Sequence, residues 1–179
     1  MSSAQRMLKV REQIHDACRR ADRNPAGVQL IAVSKTFPKE ALQPVYAAGQ
    51  RHFGENYAQE LDEKARALAE EGSDIVWHYI GRIQSNKIKY IAAHATYVHA
   101  VEKFSHAQAL GAKAPRPIKI FVSVNIGREE SKGGLMPEEV LDTCVQMHQI
   151  ENVEVCGLMC LPPRTQDPED SAPMFAEMA

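Results

Sequence analysis

Short apolar, β-branched runs alternate along this chain with longer stretches whose apolar positions recur every three or four residues. The two periods divide it into strands and helices. An opening helix is expected over residues 4–21. Leu30 to Ser34 (LIAVS) reads as a buried first strand. Pro38 suits the first turn of the next helix and Gly49 its end, with Pro44 expected to kink it. His52 to Glu55 makes a second strand, and Asn56 is placed to cap a helix running to about Glu71. A third strand is read at Ile75 to Ile80 and a helix near residues 86–93. A weak fourth strand follows at Thr96 to Ala100, then a helix over 102–112. Ile118 to Asn125 (IKIFVSVN) is the clearest strand. Pro137 opens a helix reaching about His148, Val153 to Met159 is a sixth strand, and Asp167 begins a further helix.

Six βα units in succession predict an α/β fold with a parallel sheet and helical crossovers. The candidates are a doubly wound sheet and a (β/α)8 TIM-type barrel. No glycine-rich dinucleotide turn supports the former, so the barrel is favoured. Six strands do not close one, and a whole barrel takes about 200 to 250 residues. The pattern therefore predicts one domain over residues 1–179 that stops about two βα units short.

Composition narrows the function classes. The chain has 179 residues, 44% hydrophobic and 25% charged, with a formal net charge of −2. That balance supplies no basic face for nucleic acid. No apolar run approaches the roughly 20 residues of a membrane span, and no apolar leader core opens the sequence. Among the four cysteines, Cys156 and Cys160 fall in one strand, about 13 Å apart and too far to bridge. Reduced and mostly buried thiols in a cytoplasmic protein, taken as a monomer, are the expectation. Neither a metal-ligand cluster nor a GxSxG elbow is present, and GREESKGG at Gly127 to Gly134 lacks the Gly-Lys-Ser/Thr of a phosphate loop.

Barrel active sites lie at the C-terminal ends of the strands, which selects Lys35, Asn56, the stretch Ile80 to Lys87, Asn125 and Met159. Ile31, Val33 and Lys35 share one face of the first strand by alternation. If that face lines the interior, Lys35 stands at the mouth, where desolvation lowers an ammonium pKa and frees the amine to attack an aldehyde. Position alone favours the plainer reading, a lysine that snorkels to water. Asn56 offers an amide to a ligand or caps its helix. His78 is an acid–base candidate or a satisfied core histidine. Ser85-Asn86-Lys87 opens a helix and so either binds an anion or simply caps it. Lys132, in a polar loop expected to be mobile, faces ligand or solvent.

At these residues the sequence closely resembles the pyridoxal phosphate homeostasis protein family. The matching segments are Ala32-Val33-Ser34-Lys35-Thr36, Phe53-Gly54-Glu55-Asn56-Tyr57 with Gln59-Glu60, Trp77-His78-Tyr79-Ile80-Gly81 and Gln84-Ser85-Asn86-Lys87. Val124-Asn125, Glu130-Ser131-Lys132 with Gly134, and Gly157-Leu158-Met159 follow in order. The resemblance implies a barrel like the N-terminal domain of alanine racemase, holding pyridoxal 5'-phosphate (PLP) as a Schiff base on Lys35. Asn56 would lie beside the pyridine ring, Ile80 in the strand-three signature, and Met159 near the cofactor. It implies a carrier without established catalysis, affecting PLP and amino-acid balance and delivering PLP to dependent apo-enzymes. The alternatives are a PLP-dependent racemase or decarboxylase using Lys35 and His78, a Schiff-base aldolase without PLP, and a cofactor-free interaction domain. Phe37 stands where many members carry a lysine, so a transfer role for that lysine does not carry over. The family's last two strands, phosphate-cradling backbone and serine, and the arginine facing the pyridine nitrogen are not found in these residues. Weaker PLP retention is expected of a chain without them.

Overall fold

The structure, a computed structural model, describes residues 1–179. Six strands form one all-parallel sheet: β1 (Ala32–Val33), β2 (His52–Glu55), β3 (Val76–Tyr79), β4 (Tyr97–Val101), β5 (Ile118–Val124) and β6 (Val153–Cys160). Their order in the sheet is their order in the chain. A doubly wound sheet reverses order at a switch point; this one never does. Because parallel crossovers share one hand, sequential order carries the helices to a single face, and the architecture is that of a β/α barrel over six units. In β5 the alternation is explicit. Ile118, Ile120, Val122 and Val124 are buried toward the helices, while Lys119, Phe121 and Ser123 take the opposite, concave face.

The helices are α1 (Ser3–Arg20), α2 (Gln43–Ala47), α3 (Ala58–Glu70), α4 (Ile88–His94), α5 (Phe104–Lys113), α6 (Val140–His148) and α7 (Ala172–Met178). In α3, Ala58, Leu61, Ala65 and Leu68 are buried, the stripe that a 3.6-residue period produces. Together with Phe53, Trp77, Val98 and Ile120 they belong to one core of 23 buried residues.

Three local expectations change. The kinked helix foreseen between Pro38 and Gly49 is two pieces, a 3-10 turn at Lys39–Ala41 and then α2, with Pro44 in its first turn. A proline is tolerated there because that N–H needs no partner. Gly49 ends the piece at φ +88, the left-handed cap for which glycine is suited. β1 is shorter than LIAVS predicts, although the Ser34 N–H still donates to the Gly54 carbonyl at 2.9 Å. All four cysteines are free, as expected, but they are not mostly buried: only Cys18 is, Cys144 and Cys160 are half-buried, and Cys156 is exposed at a bulge in β6.

Candidate functional site

The four candidate residues fall at the same end of the sheet. Lys35 follows β1, Asn56 follows β2, Ile80 follows β3, and Met159 is the penultimate residue of β6. In an all-parallel sheet these ends form one rim, where barrel sites are built. β1, β2 and β3 are neighbours, so Lys35, Asn56 and Ile80 follow adjacent strands. Met159 stands on the far edge strand, paired with Ser123 on the face opposite Val122 and Val124.

Register fixes the faces of the residues that lead up to Lys35. Val33 pairs with Gly54 and Gly54 with His78. A Cβ at Gly54 would meet Ile31 and Ile80, each at 3.2 Å, so all these residues share the concave face. Ser34 points the other way, its hydroxyl donating to Glu55 Oε1 at 2.7 Å in the buried layer. Lys35 lies beyond β1, in the turn after Ser34, where strand alternation no longer sets a side chain's direction. The shelter foreseen for its amine is not supplied by Val33, which is 49% exposed, and Lys35 is itself exposed. No hydrogen bond or ion pair engages its ammonium.

Asn56 does not cap α3. Tyr57 occupies the cap position and no side chain bonds there. Instead Asn56 Oδ1 is buried without a partner, an arrangement that native proteins rarely leave unexplained. The Asn56 backbone lies against Gly81, and a cleft of about 290 Å³ is lined by Asn56, Gly81, Arg82, Gln84 and Lys87 among others. A groove of about 910 Å³ between α5 and α6 lies on the outer surface, away from this rim, and offers no cation.

Below the rim runs a chain of imidazoles that the sequence reading does not anticipate. His52 Nδ1 and His78 Nε2 are 2.8 Å apart, and His78 Nδ1 is 2.8 Å from His99 Nε2. His78 stacks on Tyr97 at 4.6 Å between centroids. Burial, reinforced by the His99 and His52 charges, lowers the His78 pKa to about 3; burial lowers that of His99 to about 4. His78 is thus a satisfied interior histidine with both nitrogens engaged. Laying the parallel strands in register would have found the chain, since His78 and Tyr97 are direct partners.

The remaining candidates take structural roles. Ser85–Lys87 is a single 3-10 turn, with Ser85 Oγ 3.4 Å from His106 Nε2. Asn125 ties its loop, donating to the Glu129 carbonyl and accepting from the Glu129 N–H. Lys132 pairs with Glu129 at 2.7 Å and reaches the Leu161 and Pro162 carbonyls. The loop expected to be mobile is further joined to β4's end through Gly134 N–H and Glu102.

A sequential β/α sheet with a lysine after its first strand defines the class: residues 9–179 match the family model described as alanine racemase, N-terminal domain. A relative from Aquifex aeolicus (strain VF5) named pyridoxal phosphate homeostasis protein is 35% identical over 99% of this chain and 78% of its own length. One of the same name from Pseudomonas aeruginosa is 39% identical, covering 98% of this chain and 76% of that protein. The chain belongs to the pyridoxal phosphate homeostasis protein family. Among solved structures, PipY of Synechococcus elongatus PCC7942 with PLP bound superposes at a TM-score of 0.76 with 30% identity, over 92% of this chain and 77% of that one. No helix is long and apolar enough to cross a membrane.

Proposed function

We propose that residues 1–179 form one PLP-binding domain of a cytoplasmic, monomeric carrier that holds the cofactor through Lys35 and delivers it to PLP-dependent apo-enzymes. The observation that carries this reading is an amine without a partner just past β1, together with an Asn56 amide oxygen just past the neighbouring β2 that is buried and unsatisfied. These residues fit the cofactor. Lys35 would hold its aldehyde, Asn56 would face the ring, and Ile80 and Met159 would supply apolar walls. PLP brings an aldehyde carbon to which a neutral amine adds reversibly with loss of water, a bond suited to holding and releasing. Support for the family role comes from relatives at 35–39% identity that bear its name and from PipY, whose structure contains PLP.

Turnover by a racemase or decarboxylase would need a second proton-transfer group. His78 is poorly suited, because both ring nitrogens are bonded to other histidines and burial keeps it neutral. The carrier reading therefore assigns no catalytic residue. Incubation with PLP, borohydride reduction and peptide mapping tests the assignment. The expected result is a pyridoxyl group on Lys35, with both colour and adduct lost in Lys35→Ala. An adduct confined to another lysine would refute it, and sustained amino-acid turnover dependent on Lys35 would make the protein an enzyme.

A further inference from the structure

The turn that carries Lys35 is fastened from the opposite side of the sheet. Lys64, on α3, donates from Nζ to the Ser34 carbonyl at 2.9 Å, to Glu55 Oε1 at 2.7 Å and to Glu60 Oε2 at 3.0 Å. Those three bonds use all the donors of its ammonium. Ser34 Oγ donates to the same Glu55 oxygen at 2.7 Å. Glu60 Oε2 in turn accepts the Thr36 N–H at 2.8 Å. One continuous set of three side chains thus holds the residue before Lys35 and the residue after it, and leaves the Lys35 side chain free.

Two features make this more than packing. Thr36 has φ +65, a left-handed conformation that is unfavourable for a β-branched residue and persists when its surroundings impose it. The Glu60 bond to the Thr36 N–H is such an imposition. The ion pair itself is deeply buried, with side-chain exposures of 8% for Lys64 and 0% for Glu55. Apolar residues of the same volume often stabilise a fold as well as a buried pair does, so the pair is better explained by what it fixes. Burial pushes the Glu60 carboxyl up, but the Thr36 N–H and Lys64 more than reverse this, and the group stays ionised at neutral pH.

We infer that Glu55, Lys64 and Glu60 are positioning residues for Lys35, clamping the Ser34–Thr36 turn so that its amine is presented to the concave face in one orientation. The inference rests on Lys35 as the PLP-bearing lysine. In that reaction the C=N bond forms between Nζ and the aldehyde carbon, and the carbonyl oxygen leaves as water. A misplaced amine should condense more slowly even where the fold survives.

Glu60 is the residue to vary, because its side chain is 30% exposed and its loss leaves the Lys64–Glu55 pair in place. Glu60→Ala should slow PLP condensation by about tenfold, and Glu60→Gln, whose amide oxygen still accepts the Thr36 N–H, should recover most of the rate. Thr36 amide exchange, followed without PLP, should accelerate in Glu60→Ala and be protected in Glu60→Gln. Condensation by Glu60→Ala at the unsubstituted rate would overturn the inference, as would a slowing that Gln does not restore. Freely exchanging Thr36 in the unsubstituted protein would overturn it without any variant. An adduct retained in Lys35→Ala would instead remove the reading of Lys35 and the inference with it.

Discussion

A methyl group at residue 81 would lie 2.0 Å from the Asn56 carbonyl oxygen and 2.9 Å from its Cα. Both are backbone atoms and cannot rotate away. Gly81→Ala should therefore displace the Asn56 segment, destabilising the protein by about 1–3 kcal/mol in urea denaturation and accelerating PLP release. Gly54→Ala is the control. Its Cβ would meet the Ile31 and Ile80 side-chain ends at 3.2 Å, atoms able to shift. Equal losses for the two variants would show that the tight Gly81–Asn56 approach has no special role. At this scale the sequence identifies which residues matter, since both glycines fall in segments shared with the family, but not why. Nor is the failure of Asn56 to cap α3 legible, because capping depends on where the chain turns after β2.

Helix α3 was readable from its apolar stripe, yet the important residue on it was not. Lys64 lies within the stripe, three residues after Leu61 and four before Leu68. Its partners come from Glu55, nine residues away, and Ser34, thirty away, a convergence that the period of one helix does not report. The burial is costly at the carboxylate: burial pushes the Glu55 carboxyl up, while the bonds from Lys64 and Ser34 pull it partly back, and Glu55 Oε2 has no partner. Removing the cation should leave a carboxylate stranded. Lys64→Met should destabilise the domain by about 3–5 kcal/mol. Adding Glu55→Gln to it should recover part of that loss, since an amide needs no counter-charge. No recovery in the double variant would mean that the pair is not energetically coupled.

For the whole molecule, the order of the elements is legible because each strand lies beside its successor, whereas contacts across the concave face emerge only once neighbouring strands are laid in register, which the pattern of a single strand does not report. That face holds the imidazole chain, and it couples stability to pH. The folded pKa values of His78, about 3, and His99, about 4, lie below the unfolded value near 6.5. Below pH 6.5 the unfolded chain takes up protons that the folded one refuses. Stability is then full above that pH and is lost as pH falls toward the folded values, at about 1.4 kcal/mol per pH unit for each histidine. Glu55, pushed up by burial, contributes with the opposite sign and partly offsets the loss. Urea denaturation at pH 7 and 5.5 should reveal the decline. His78→Gln keeps a donor and an acceptor for its two neighbours without titrating, and should reduce the slope by about one histidine's share. An unchanged slope in His78→Gln would mean that the folded His78 takes up protons as readily as the unfolded one, and its burial would not be the source of the decline.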